Sequence, residues 1–172
     1  GEIVSNEGLI FTNHHCGYDA IATASSVTKN YLKDGFWANS RQGKIPSAGL
    51  YAEFLVKIED VTAEVEDSAK GLRDSERMIK VNAAISAINK RYSDAATSTY
   101  GRVSSLFKGN QFLVFIYQRY KDVRLVGAPP ESIGKYGGDS DNWEWPRHTG
   151  DFSVFRVYMS KDGQPAEYSN EN

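Results

Sequence analysis

Two of the three histidines in this sequence stand beside its single cysteine, in Thr12-Asn13-His14-His15-Cys16-Gly17. An imidazole serves as a packed core group, a metal ligand or a general base, and residue type alone leaves all three open. A metal site needs further ligands close by, and His148 is the remaining histidine. A general base needs a carboxylate on its other ring nitrogen, to fix the tautomer and stabilise the imidazolium. Asp151, in His148-Thr149-Gly150-Asp151-Phe152-Ser153-Val154, follows His15 by 136 residues at the mouth of an apolar strand. The same position also suits an aspartate that merely starts a strand from a turn. Asp139, Asp141 and Glu144 form a close set of hard oxygen ligands, which suits calcium, although the twelve-residue loop pattern is not met. Ser140 offers a hydroxyl, but the Asp141 that follows would oppose a developing oxyanion.

The elements that must position these groups are mostly extended. Residues 3–12 read as two short strands around an Asn6-Glu7-Gly8 turn, the second running into His14-His15-Cys16. Asp19 could cap a short helix after them. Residues 50–58, 112–120, 122–128 and 152–158 are rich in β-branched and aromatic side chains with partial alternation, and read as strands. Met78, Val81, Ile85, Ile88 and Tyr92 recur in steps of three and four after the capping candidates Asp74 and Ser75, which predicts an amphipathic helix, with a shorter one over 60–70. The expected fold is mostly β, a small antiparallel barrel or sandwich interrupted by a helical excursion at about 59–96. Residues 127–150 read as a long irregular segment. Strand, small residues, His, then Cys is the order found in trypsin-like barrels, where the histidine projects into the cleft as the base. On that reading His15 is the base, Asp151 orients it, and His14 points the other way on an extended backbone as a packing neighbour.

Length and composition bound the rest. With 172 residues, 40% hydrophobic and 24% charged, the chain has the size and make-up of one globular domain. No apolar run approaches the roughly 20 residues of a membrane-spanning helix. Its 20 basic and 22 acidic side chains leave a net charge of −2, without the basic excess that a nucleic-acid surface requires. One cysteine permits no disulfide within the chain. Both ends read as cut, so a piece of a longer protein is expected.

Three long motifs carry a resemblance. Thr12-Asn13-His14-His15-Cys16-Gly17-Tyr18, then Tyr120-Lys121-Asp122-Val123-Arg124-Leu125-Val126-Gly127-Ala128-Pro129-Pro130, then residues Gly137 to Phe152 including Asp141-Asn142-Trp143 are similar to the bacterial dipeptidyl-peptidase 7/11 family. The resemblance runs through nearly the whole chain and is loosest in the helical excursion. It implies a periplasmic, cell-surface or secreted serine exopeptidase that needs no cofactor and takes dipeptides from peptides with a free N-terminus. It further implies a trypsin-like double barrel with a capping helical domain inserted between its halves, homodimeric at full length. Residues 1–172 would be the first barrel, with His15 and Asp151 of the triad and without the serine. Asn142 and Trp143 match the residues that hold the substrate amine, through the asparagine carbonyl and the tryptophan ring or backbone, which fits an ammonium's need for acceptors and an aromatic face. Cys16 would pair with a cysteine just upstream. The residues that choose the penultimate side chain would lie in the second barrel. Two alternatives stand beside this: a trypsin-like endopeptidase in which Asn142 and Trp143 are loop packing, and a noncatalytic calcium-binding module.

Overall fold

A computed structural model of the chain describes residues 1–134, 149–160 and 164–169. Where length pointed to one domain, the chain forms two compact units, Gly1–Ala52 with Tyr120–Asn172, and Glu53–Arg119. The helical stretch belongs to the second unit, together with the strands that flank it.

The first unit is built on an antiparallel sheet. Its strands are β1 (Glu2–Ile3), β2 (Leu9–Thr12), β3 (Phe36–Trp37), β4 (Ile45–Pro46), β8 (Val123–Ala128) and β9 (Ser153–Val157), in the order β1–β2–β9–β8–β3 with β4 also on β8. The hairpin joining β1 to β2 turns through Gly8 at φ 75, the left-handed region that glycine enters without a steric cost. Among the described residues this sheet does not close on itself, so the architecture seen is an antiparallel sheet with helices packed on it. Val123 and Leu125 on β8 and Phe155 and Val157 on β9 are buried at alternate positions, and Val154, next to Phe155, is buried from the opposite face. Each side chain of this size contributes about 1.5–3 kcal/mol on burial.

Helix α1 (His14–Ala24) is the main departure from expectation. Helix formation begins at His14, five residues before Asp19, which therefore lies inside the helix and caps nothing. His14 and His15 are accordingly on helical, not extended, backbone. Successive helical residues turn by about 100°, so one ring is directed inward and the other outward. His14, Gly17 and Ile21, spaced by three and four, form the buried face. Short helices α2 (Tyr31–Asp34) and α5 (Glu131–Gly134) complete the unit, α5 starting directly after Pro129-Pro130.

The second unit has the sheet β5 (Ala52–Asp60), β7 (Gln111–Tyr120) and β6 (Thr99–Leu106), in that order, and helices α3 (Thr62–Ser68) and α4 (Asp74–Arg91). Its core joins Val61, Val65 and Ile88 to Phe112, Val114 and Ile116 on alternate positions of β7, with Val81, Ile85, Tyr92 and Val103 against them. Met78, the first member of the expected stripe, is 61% exposed. It lies in the first turns of α4, before the helix meets the core. The N-cap of α4 is Arg73, without a side-chain cap bond, and the helix is entered through Asp74 at φ 51, so neither Asp74 nor Ser75 is the cap. Among the described residues no helix is long and apolar enough to cross a membrane.

Candidate active site

Register brings the two ends of the site together. Strands β2 and β9 pair antiparallel from Leu9 with Arg156 to Thr12 with Ser153. Carried two residues further, the same register sets position 14 against position 151. The histidine pair therefore leaves the end of β2 where the chain is about to enter β9, although 136 residues separate His15 from Asp151.

Asp151 collects its hydrogen bonds at this junction. The ring Nδ1 of His15 lies 2.9 Å from Asp151 Oδ2. The backbone N–H of His15 donates to Oδ1 at 3.2 Å, and the side-chain amide of Asn13 donates to Oδ2 at 2.9 Å. Burial by itself would raise the carboxyl pKa, but the bonds from Asn13 and from the His15 backbone and ring outweigh it and hold Asp151 below the usual carboxylate range. An ionised carboxylate only accepts, so the proton of a neutral His15 sits on Nδ1 and Nε2 is left as a free acceptor. That is the tautomer a general base needs. The side chain of His15 is 68% exposed and that of Asp151 23%, an open base on a sheltered carboxylate.

His14 plays no part in this network. It is buried against α5, so closely that a Cβ on Gly134 would come within 2.6 Å of its Cγ. Its Nε2 makes no hydrogen bond among the described residues. Helix α1 is seated by Gly17, where a side chain would strike Ser153 Oγ and the Phe155 ring. Ser153 Oγ in turn donates to the carbonyl of Asn13 at 3.0 Å. Cys16 is a free, exposed thiol.

Asn13 is the site residue that sequence reasoning missed. The signal was present, since asparagine is among the favoured N-cap residues, but it is legible only once the helix is started at His14. Asn142 and Trp143 lie outside the described residues, as do Asp139, Ser140, Asp141, Glu144 and His148. The stretch that contains them leaves after Gly134 and returns before Gly150, whose N–H donates to the carbonyl of Ile133 at 2.9 Å. Both of its ends are therefore tied beside His14 and Asp151. Among the described residues no cluster of three or more His, Cys, Asp or Glu is placed to hold a metal ion.

The model of the peptidase S46 family matches residues 1–172. The chain belongs to the peptidase S46 family. Dipeptidyl-peptidase 7 of Capnocytophaga gingivalis is 49% identical to this S46 chain over 171 residues, covering 99% of it and 24% of the relative. The Asp/Glu-specific dipeptidyl-peptidase of Flavobacterium psychrophilum is 47% identical over 172 residues, with the same coverage of each, 99% and 24%. The crystal structure of Porphyromonas endodontalis DPP11 in complex with the dipeptide Arg-Glu superposes with a TM-score of 0.83 at 44% identity, over 99% of this chain and 26% of that one. The S46 chain thus spans about a quarter of the length of these relatives.

Proposed function

We propose that this chain supplies the base and its orienting acid to a serine-type dipeptidyl peptidase, which releases dipeptides from the free N-terminus of peptides. The observation that carries this is the His15–Asp151 pair at 2.9 Å in a chain of the peptidase S46 family. In the mechanism, Nε2 of His15 takes the proton of a serine hydroxyl as that oxygen attacks the scissile carbonyl. Asp151 stabilises the imidazolium, which then protonates the leaving amine. Water repeats the cycle to release the dipeptide. The serine and the oxyanion donors belong to the whole protein, outside residues 1–172. The antiparallel sheet of the first unit is, on this reading, one wall of a trypsin-like barrel that closes in the whole protein.

Asn142 and Trp143 are proposed to hold the substrate ammonium. The support is their motif, together with the anchoring of their segment beside Asp151. A fixed amine next to the triad makes the enzyme count two residues to the cut. Relatives named for dipeptidyl-peptidase 7 and for Asp/Glu specificity match at 49% and 47%, so the choice of penultimate residue is assigned to the part of the protein beyond this stretch. A periplasmic or secreted location and a homodimeric whole protein complete the proposal.

The test compares peptides with free and acetylated N-termini as substrates of the whole protein. Cleavage of the free peptide alone is expected, with Asn142→Ala weakening capture of free amines. Undiminished cleavage of the acetylated peptide would instead favour a trypsin-like endopeptidase.

A further inference from the structure

We propose that Asn13 is a positioning residue of the dyad: its side-chain amide fixes the Asp151 carboxylate and keeps it ionised, so that a proton taken up at the site stays on His15. This rests on the reading of His15 as the general base.

Asparagine at a helix N-cap ordinarily turns its carbonyl oxygen to the helix and accepts from the second or third N–H. Asn13 holds the N-cap of α1 with the usual extended backbone, φ −68 and ψ 152, yet makes no side-chain cap bond. The N–H at the second helical position is that of His15, and Asp151 Oδ1 accepts it at 3.2 Å. A distant carboxylate has taken over the cap, and the asparagine is turned round to donate to it. Nδ2 reaches Oδ2 at 2.9 Å and approaches the Asp151 backbone carbonyl at 3.4 Å.

Oδ2 therefore accepts from Asn13 and His15 together, while Oδ1 accepts from the His15 backbone. With both oxygens engaged, the carboxylate cannot rotate without breaking a bond. Among the described residues the ionisable group bearing on Asp151 is His15. Unlike the imidazole, the amide donates at every pH. A constant donor favours the ionised carboxylate and draws off part of its charge. The backbone of Asn13 is itself held from two sides, its carbonyl accepting from Ser153 Oγ at 3.0 Å and from the Gly17 N–H at 3.3 Å. Removing the side chain leaves those bonds in place and removes no helix cap.

The experiment compares Asn13→Ala, Asn13→Asp and His15→Ala with the unaltered whole protein, measuring kcat, KM and the pH dependence of kcat/KM on a longer peptide with a free N-terminus. Asn13→Ala is expected to lower kcat by about ten- to a hundredfold with KM little changed. Without the amide the carboxylate attracts the imidazolium more strongly, so the acid limb of kcat/KM moves to higher pH. Asn13→Asp, nearly isosteric and anionic, should move it further the same way. A limb that stays in place, or moves to lower pH, in both variants overturns the proposal even if activity falls. Full activity in His15→Ala would overturn the underlying peptidase reading instead, so the two failures are distinct.

Discussion

Asp122 and Asp151 stand just before neighbouring strands of one sheet, Asp122 ahead of β8 and Asp151 ahead of β9. Their side chains are 14% and 23% exposed, and both are held below the usual carboxylate range against the opposing effect of burial. Asp122 receives the guanidinium of Arg124 in a fork, Nε at 2.9 Å and a terminal nitrogen at 3.1 Å, and the Tyr168 N–H at 2.7 Å. Arg124 lies over the rings of Tyr168 and Tyr158, 4.2 and 5.2 Å from their centres. Among the described residues the donors to the Asp122 carboxylate, the Arg124 guanidinium and the Tyr168 backbone N–H, keep their protons at any working pH. At Asp151 one donor is an exposed imidazole, which can gain and lose one. Burial and a lowered pKa are common to both sites, so they do not distinguish a reacting carboxylate from a structural one. The titratable, solvent-reaching partner does.

The comparison is tested most sharply by exchanging the damage. His15→Ala and Asp151→Ala in the whole protein are expected to reduce kcat by about 10⁴-fold. His15→Ala should leave the unfolding free energy little changed, because its imidazole is exposed, while Asp151→Ala should cost about 1 kcal/mol, the worth of the cap its carboxylate gives α1. Asp122→Ala should do the reverse. It leaves Arg124 without its counter-charge and Tyr168 without an acceptor, at a cost of about 3 kcal/mol in stability, read from the urea midpoint, with kcat near its original value. Equal losses of activity and stability at both aspartates would erase the distinction. Both carboxylates have lowered folded pKa values, so their stabilisation is present above the unfolded value of about 3.9 and is lost as pH falls below it. Acid unfolding below about pH 4 is therefore expected to be shallower in Asp122→Ala.

The two aspartates also differ in how legible they were. His15 and Asp151 could be read as a pair because each stands where an apolar strand ends or begins, β2 marked by the Gly8 turn before it and β9 by its run of β-branched and aromatic side chains. The repeat through Val81, Ile85 and Ile88 marked α4 by a local period matching a buried face. Asp122 has its ion-pair partner Arg124 only two residues away, but its second donor, the Tyr168 N–H, reaches it from 46 residues away and left no sign in the sequence. Helix α1 was misplaced because the acceptor that caps His15 is remote in sequence, and no local residue reveals it. The two-residue strands β3 and β4 are fixed by register against β8, Phe36 with Ala128 and Ile45 with Leu125, not by any pattern of their own. The division into two units likewise arises from long-range pairing that composition does not encode.

A smaller perturbation can separate positioning from chemistry on the Asp151 side. A helical glycine replaced by alanine ordinarily gains about 1 kcal/mol. At Gly17 the added Cβ would lie 2.6 Å from Ser153 Oγ and 3.0 Å from the buried Phe155 ring, so α1 must shift off β9. Gly17→Ala is expected to cost a net of about 1 kcal/mol in stability, since overpacking outweighs the helical gain. It should cost about tenfold or more in kcat, because the shift carries His15 away from its productive place. A stability loss with unchanged kcat would mean that the dyad tolerates movement of α1.

The smallest expected effect belongs to the structural side and appears at the opposite end of the pH scale. Lys44 is buried, with Nζ donating to Tyr158 Oη at 3.2 Å beside the same ring that Arg124 covers. Burial lowers its pKa to about 8, helped by the charges of Arg156 and Arg41 and opposed by Glu7. In the unfolded chain the amine keeps its ordinary value of 10.5. Between these values the unfolded chain binds the additional proton, so stability rises with pH, whereas below about 8 the cost of burying the ammonium is fully present. The whole protein should therefore show a Tm that climbs modestly from pH 8 to 10. Lys44→Met should remove the climb and raise Tm at pH 7, while leaving the acid limb of kcat/KM where it was. Parallel Tm curves for the two proteins would show that Lys44 is not the titrating group, and a shifted acid limb would show that the structural cluster and the dyad are electrostatically joined after all.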